Sequence, residues 1–260
     1  MKFAGSILLS IVAFLSVSAQ VKTPEPPTVK VPFDKSLQAV VVTTADWFAK
    51  TGKARLFERK DGGSKWKTVG DEFAIVVGEK GIAIGADSPT DIRQKDATSL
   101  LTLIKREGDG RAPAGMFPLT AAFGTSTKPS ALEMPYTKVV DYTECVDDVK
   151  SHFYNRIVNR MQVGNFDWES SEKMLAVGEQ YSLGLFVGYN SFPVVKGNGS
   201  CIFLHIWKDA ASGTAGCTAM ERRDLERILA WTVAAKNPYL IQLPEAEYKK
   251  FQKSWKLPKL

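Results

Sequence analysis

Short apolar segments separated by glycine, proline and aspartate run through most of the chain and restrict the kinds of fold that it can adopt. Such apolar or alternating runs, bounded by turn-forming residues, are typical of β-strands. A Gly- and Pro-rich crossing over residues 105–124 leads into another strand, and residues 181–190 have the same character. The pattern predicts a mainly β fold with a few helices. The strand segments of the N-terminal half are residues 38–44, 53–59, 72–78 and 81–85.

The segment "SCIFLHIW", residues 200–207, alternates between two faces with a period of two. In a strand, successive side chains point to opposite faces. Ile202 and Ile206 therefore point into a core, together with Leu204. The opposite face carries His205 and Cys201 beside aromatic side chains, so an imidazole shares a face with a thiol.

The segment after this strand predicts a turn and then a helix. Residues 218–221, "TAME", fit a capping box with Thr218 as the N-cap and Glu221 at the third helical position. Apolar residues then recur at helical spacing over 225–232, and Asn237–Pro238 is expected to close the helix.

The remaining segments give a less uniform pattern. Residues 239–244 are expected to form a final strand, and the basic tail, residues 245–260, a helix that packs through Tyr248, Phe251 and Trp255. Residues 144–161 fit either a short helix or an ordered loop, and their periodicity does not decide between the two.

Residues 1–19 have the features of a cleaved secretory signal peptide. Lys2 forms a short positive region, residues 3–15 are apolar, and "VSA" places small residues before a cut after Ala19. An uncleaved anchor is the alternative. Residues 20–36 are expected to form a Pro-rich tether, and residues 37–260 a single domain with a C-terminal basic tail. The chain would then be secreted across the inner membrane into the periplasm or cell envelope, without a stable membrane span after cleavage.

The positive charge of the chain is scattered along the sequence. The net charge is +6, but no basic stripe alternates with aromatic residues. Nucleic acid is therefore not an expected partner. A basic exported protein is compatible with an anionic cell envelope.

The chain has three cysteines, an odd number for an exported protein. Oxidising compartments favour disulfides, so one pair and one free thiol is the simplest arrangement. Cys145 and Cys201 are the expected pair, which leaves Cys217 free. An alternative is a Cys3His zinc site formed by these three cysteines and His205, although the spacing lacks a C-x2–4-C pair.

Cys217 ends the segment "TAGC" immediately before the expected helix. Main-chain N–H groups and the helix dipole would stabilise its thiolate, and Gly216 would allow a tight turn. The Cys217 N–H would contribute to an oxyanion hole, and His205 would be the base that activates the thiol. The alternative interpretations are that Cys217 is only a small buried side chain and that His205 has a structural role.

The segments "GDGRAPAGMFPL", "HFYNRIV", "GYN", "GSCIFLH" and "TAGCTAM" occur in this order. Together they resemble the YkuD-type L,D-transpeptidases of peptidoglycan, and a divergent branch of that family in particular. The resemblance covers roughly residues 38–236. It implies a β-sandwich-like catalytic domain with the catalytic cysteine at a strand-to-helix turn, acting on peptidoglycan stem peptides through a thioester. It implies no metal or organic cofactor, and we expect a monomer.

The resemblance also implies roles for individual residues. Cys217 would be the nucleophile, His205 the base and later the acid, and the carbonyl of Ile206 would orient the imidazole. Thr214 and Gly216 would line the oxyanion site with Cys217.

Two positions depart from the family pattern. Ala215 replaces a second histidine, and Ala219 replaces an arginine two residues after the cysteine. Arg156 is our candidate for the lost arginine, with local capping or pairing with Asp147 as its alternative. The further candidate substrate-binding residues are Tyr154, Asn190, Ser200 and Trp207. The departures leave two other functions open, an L,D-carboxypeptidase or related hydrolase and a non-catalytic envelope-binding protein.

Overall fold

A computed structural model describes residue 30 and residues 32–85, 88–89 and 103–260. The expected signal peptide, residues 1–19, and most of the expected tether lie outside the described residues. Within those ranges, no helix is long and apolar enough to cross a membrane.

The strands of the described residues form one large sheet and one small sheet. The large sheet contains β1 (Gln38–Thr44), β2 (Thr51–Glu58), β3 (Lys67–Val76), β4 (Ile82–Ile84), β5 (Ala112–Gly124), β6 (Tyr136–Lys138), β10 (Leu183–Val187), β11 (Phe203–Ile206), β12 (Thr218–Met220) and β13 (Tyr239–Pro244). The small sheet contains β7 (Thr143–Val146), β8 (Ile157–Asn159) and β9 (Ser171–Lys173). The predicted mainly β class is therefore confirmed.

The large sheet closes on itself. Its strand order is β10-β11-β12-β3-β2-β1-β13-β5, and β10 also pairs with β5. The expected sandwich-like arrangement thus takes the form of one closed sheet whose opposite sides pack face to face. Its interior holds the main apolar core, to which Val40, Leu56, Phe117 and Leu240 contribute.

Strand β1 runs through the middle of the structure. It pairs antiparallel with β2 and parallel with β13, and residues 39–42 are all buried. A continuous apolar run of this kind fits a strand covered on both faces. The C-terminal helix α2 (Glu245–Phe251) is shorter than the expected helix over residues 245–260. It contacts β1 and β13, and Tyr248, Phe251 and Trp255 join the core as the sequence predicted.

Helix α1 (Arg222–Trp231) covers β10 and β11 through Leu225, Ile228 and Leu229. The expected capping box at residues 218–221 is wrong, because Thr218 lies in strand β12 and Glu221 is the N-cap. The hydroxyl of Thr218 bonds the side chain of Gln242 on β13 instead of a helix end. The helix also ends before Asn237, which follows the 3₁₀ turn Ala234–Lys236.

The small sheet resolves the ambiguous segment over residues 144–161. This segment forms the end of β7, a turn, β8 and the start of the 3₁₀ turn Arg160–Gln162. Strand β9 pairs with the other side of β7, so that Glu172 lies opposite Cys145. A further 3₁₀ segment, Met174–Tyr181, connects β9 to β10.

Residues 33–36, the last part of the expected tether, pack against the rest of the described chain. Phe33, in the 3₁₀ turn Phe33–Lys35, stacks on Trp66 with ring centroids 5.8 Å apart and meets Tyr239 edge-on at 5.3 Å. Arg59 also donates to the carbonyl oxygen of Ser36 at 2.7 Å. The packed part of the chain therefore includes residues 33–36.

Candidate active site

A cleft of about 420 Å³ opens beside the ends of β11 and β12. Cys217 and His205 both line it. Strands β11 and β12 are parallel neighbours, and His205 pairs with Ala219. Cys217 lies two residues before Ala219, on the same face of the sheet, which separates the Cα atoms of the candidate pair by ~8 Å. The structure therefore places the predicted nucleophile, Cys217, and the predicted base, His205, in one cleft.

Thr214 holds the turn that presents Cys217. Its main-chain N–H donates to the carbonyl oxygen of Val77 at 2.9 Å, which ties the turn to the end of β3. Its hydroxyl donates to the carbonyl oxygen of Cys217 at 2.7 Å and accepts the N–H of Gly216 at 3.1 Å. The side chain of Thr214 therefore fixes both ends of the turn formed by residues 214–217.

Gly216 lies where two segments of the backbone approach closely. A Cβ atom at this position would lie 3.1 Å from the carbonyl oxygen of Arg111. Its N–H is engaged by Thr214, so a rearrangement on substrate binding would be needed before that group could serve an oxyanion.

The Cys217 thiol is buried, with 5% of the residue exposed. The sulfur accepts the N–H of Phe203 at 3.3 Å and donates to the carbonyl oxygen of Cys201 at 3.4 Å. Burial, together with the charge of Glu172, raises the thiol pKa to about 12. The expected thiolate at a helix N-terminus is therefore wrong for this resting state, because a strand follows Cys217 and its surroundings favour the thiol.

His205 is buried in β11 and is held by its own neighbour. Its Nδ1 atom lies 2.8 Å from the carbonyl oxygen of Ile206, which can only accept a hydrogen bond. This contact assigns the proton to Nδ1 and leaves the Nε2 lone pair free to accept a proton. Burial lowers the pKa of His205 to about 4, so the imidazole is neutral at pH 7.

Tyr181 and Glu172 extend the site in a way that the sequence motifs did not indicate. The Tyr181 hydroxyl donates to Glu172 Oε2 at 2.6 Å, and both side chains line the cleft beside Cys217. The Tyr181 ring also meets the His205 ring edge-on, with centroids 5.1 Å apart. Burial raises the pKa of Glu172 to about 7. These two residues lie outside the quoted motifs, and their approach to Cys217 depends on the packing of the small sheet.

Of the predicted substrate-binding residues, Ser200, Trp207 and Thr214 line the cleft. Ser200 donates through its hydroxyl to Glu107 Oε2 at 2.7 Å, and Tyr154 donates to the same oxygen at 2.5 Å. Tyr154 is buried behind Glu107, which itself lines the cleft. Tyr154 therefore supports the wall of the cleft from behind.

The structure does not bring Asn190 or Arg156 to the cleft. Asn190 is buried and donates through its amide to the carbonyl oxygens of Val195 and Gly199, both at 2.9 Å, so it shapes a loop. Arg156 is exposed and does not line the cleft. Its neighbour Asn155, at φ 61°, turns the chain there and directs its own amide inward.

One departure from the family pattern, Ala219 in place of an arginine, removes a positive charge from the cleft. Ala219 is fully buried between β11 and β3, so the position of the missing arginine is closed. Lys105 is a cation in the cleft wall, where Asp109 Oδ1 and the carbonyl oxygen of Arg106 each bind its Nζ at 2.7 Å.

A disulfide joins Cys145 to Cys201 and leaves Cys217 free, as the cysteine count predicted. The alternative Cys3His zinc site is wrong, because two of its four ligands are in this disulfide.

The geometry of the site agrees with a comparison of the sequence with known protein families. The family model of the YkuD L,D-transpeptidase catalytic domain matches residues 49–241. The chain belongs to this family. No curated protein and no solved structure shows a significant match to the chain. Membership of the YkuD family makes cysteine-based acyl transfer the chemistry to be tested at Cys217.

Proposed function

We propose that this chain is an exported L,D-transpeptidase that acts on peptidoglycan stem peptides through a thioester on Cys217. Cys217 attacks the carbonyl carbon of a diaminopimelate-type residue, and the terminal D-Ala leaves as its amine. The amine of a neighbouring stem peptide then attacks the thioester and releases the enzyme. His205 is the acid–base group of this acyl transfer, and Ile206 holds its Nδ1–H.

One observation carries the proposal. The free thiol and a neutral imidazole with an unprotonated Nε2 line the same cleft, on the same face of two paired strands. A nucleophile, a base and a group that orients the base are the three parts that this chemistry needs. Family membership adds the substrate class.

The proposed oxyanion site uses the main-chain N–H of Cys217 and the turn held by Thr214. In acyl transfer, N–H donors fixed near the reacting carbonyl stabilise the negative oxygen of the intermediate. The bonds of the Thr214 hydroxyl at both ends of the turn support this role, because they fix the main chain around the nucleophile before substrate binds.

The proposed location follows from the N-terminal segment. A signal peptide over residues 1–19 would send the chain across the inner membrane into the periplasm, where both stem peptides and an oxidising environment are found. The Cys145–Cys201 disulfide supports this location.

Intact-mass spectrometry after incubation with a carbapenem or a stem tetrapeptide tests the proposed function. We expect a covalent adduct on the wild type and none on Cys217→Ala, which removes only the reacting sulfur. Analysis of the peptide products then separates two reactions, since a cross-linked dimer indicates transfer and free tetrapeptide minus D-Ala indicates hydrolysis. A wild type that forms no adduct would refute the catalytic proposal and favour an envelope-binding role.

A further inference from the structure

The wall of the cleft contains a carboxylate whose two oxygens are used unequally. Glu107 lines the cleft and is half-buried. Its Oε2 atom accepts hydrogen bonds from the hydroxyls of Tyr154, at 2.5 Å, and Ser200, at 2.7 Å. None of the hydrogen bonds among the described residues ends on its Oε1 atom. The side chain is therefore fixed through one oxygen, and the other is available to a bound molecule.

The loop over residues 197–200 holds Glu107 through its main chain as well as its side chain. The N–H of Glu107 donates to the carbonyl oxygen of Gly197 at 2.9 Å. The hydroxyl of Tyr154, which is buried, accepts the N–H of Gly199 at 3.1 Å while it donates to Glu107. A charged group that is fixed in this way before binding loses little conformational freedom when a ligand arrives.

Two further carboxyl groups line the same cleft, but neither is held as Glu107 is. Asp147 Oδ1 accepts the hydroxyl of Ser170 at 2.5 Å, and Glu172 Oε2 accepts that of Tyr181 at 2.6 Å. Only at Glu107 do two buried hydroxyls converge on one oxygen, among the carboxyl groups that line the cleft in the described residues. A cleft lined by carboxylates attracts positively charged groups, and Glu107 is its best-positioned acceptor.

The two lysines that line the cleft do not cancel this charge. Lys105 is 3% exposed, and Asp109 Oδ1 binds its ammonium group at 2.7 Å. Lys208 is exposed, so it is the cation that a carboxylate of a substrate can reach. Ala219 is fully buried at the position of the family arginine. The inner part of the cleft is therefore better suited to a positive group than to a carboxylate.

We propose that Glu107 binds the side-chain ammonium group of the stem-peptide residue whose carbonyl carbon Cys217 attacks. This inference rests on the proposed function, because it names the part of the same substrate that the cleft recognises. Glu107 is then a residue that determines specificity. Tyr154 and Ser200 are positioning residues, since they act on the substrate through Glu107.

The chemistry of the substrate fits this division of charge. A diaminopimelate side chain ends in an ammonium group and a carboxylate, several bonds away from the carbonyl carbon that reacts. An ammonium N–H donates to a carboxylate in a charge-assisted hydrogen bond, which is stronger than one between neutral groups. Glu107 Oε1 supplies the acceptor for this bond. The carboxylate of the same side chain has no buried cation to meet in the described part of the cleft except Lys105, which Asp109 already binds.

The test compares two stem tetrapeptides that differ only at the side-chain amine of the diaminopimelate residue, which is free in one and acetylated in the other. Acetylation removes the positive charge and leaves the reacting carbonyl unchanged. Release of D-Ala in the first turnover measures acylation of Cys217 alone, so the loss of the amine as an acceptor does not affect the result. For the wild type we expect the free amine to react about 10-fold faster at low peptide concentration.

Variants of Glu107 and of its partners separate recognition from folding. Glu107→Gln keeps the shape and an oxygen that accepts the two hydroxyls, but it has no charge, so the ratio of the two rates should fall to about 1. Tyr154→Phe and Ser200→Ala each remove one of the two hydroxyls and should lower the ratio by about 3-fold, because Glu107 is then held less firmly. Circular dichroism and thermal melting verify that each variant is folded.

Asp147→Asn is the matched control. It removes one negative charge from the same cleft and leaves the hydrogen bonds of Glu107 in place. The ratio of the two rates should stay close to that of the wild type. Equal losses in Asp147→Asn and Glu107→Gln would overturn the inference, because they would mean that the overall charge of the cleft selects the substrate and that Glu107 makes no specific contact.

Calorimetric titration of both peptides into Cys217→Ala keeps this inference separate from the proposed function, since binding needs no acyl transfer. Tighter binding of the free amine that is lost when Glu107→Gln is added would support the assignment, even if the wild type formed no covalent adduct and the catalytic proposal failed. Equal binding of the two peptides, or none of either, would overturn it. So would a Glu107→Gln enzyme that keeps the wild-type ratio of rates.

Discussion

The Cys217 thiol donates a hydrogen bond to the carbonyl oxygen of Cys201, 3.4 Å away, and Cys201 is itself half of the disulfide with Cys145. Cys145 lies on β7 directly opposite Glu172 of β9. The disulfide therefore ties the small sheet, which carries Glu172, to the residues that hold the nucleophile. Its position links the stability of the fold to the geometry of the cleft.

Replacing both Cys145 and Cys201 by alanine should destabilise the protein and slow acylation of Cys217. The disulfide closes a loop with a sequence separation of 56 residues. The loss of this cross-link should lower the free energy of unfolding by about 4 kcal/mol. Urea unfolding measures the first effect and the rate of carbapenem adduct formation the second. Cys217→Ala, which keeps the disulfide, is the control for stability, and equal stability of the double variant and wild type would contradict the prediction.

The sequence predicted most of the strands because their signals are local. Residues 38–44 and 239–244 form β1 and β13 with the expected bounds. The alternation of residues 200–207 also holds, with Ile202 in the main core and Cys201 on the opposite face. In each of these segments, local apolar patterning is enough to specify the strand.

The errors arose where a local signal competes with pairing to distant strands. Residues 218–221 fit a capping box, yet Ala219 is taken up between β11 and β3. The three residues of β12 are all buried and pair with a strand on each side. The free energy gained from this pairing exceeds the ~1 kcal/mol that one side-chain N-cap would contribute. The Glu172–Tyr181 pair was missed for a related reason, since the pairing of β9 with β7 and the packing of the 3₁₀ segment Met174–Tyr181 against β11 bring it to the cleft.

Replacing Thr214 by valine should slow acylation of Cys217 by about 10-fold. The substitution keeps the shape of the side chain but removes the hydroxyl that bonds the Cys217 carbonyl oxygen and the Gly216 N–H. Loss of the two hydrogen bonds should also cost about 1–2 kcal/mol of stability. Adduct formation with a carbapenem measures the rate, and Thr214→Ser, which retains the hydroxyl, should behave like the wild type. A valine variant with the wild-type rate would show that the turn needs no hydroxyl.

Restoring the family arginine by Ala219→Arg should destabilise the protein and give no gain in activity. Ala219 is fully buried, with His205 beside it on β11 and Val76 beside it on β3. A long charged side chain has no room there and would be buried without a partner, at a cost of about 3 kcal/mol or more. Thermal melting tests this expectation, with Ala215→His as a comparison in the exposed turn. A stable variant that binds stem peptide more tightly would contradict it.

Glu172→Gln should make the protein more stable than the wild type at pH 8. Burial raises the pKa of Glu172 in the folded protein to about 7, from an ordinary value of 4.5. The folded state therefore holds the proton more tightly, so the wild type is penalised above pH 7 and loses this penalty as the pH falls to about 4.5. Because the carboxyl keeps contact with solvent in the cleft, we expect a gain of about 2 kcal/mol at pH 8 and none at pH 4.5. Urea unfolding of both proteins at the two pH values measures the difference. A variant that is less stable than the wild type at pH 8 would show that the ionised carboxylate stabilises the fold.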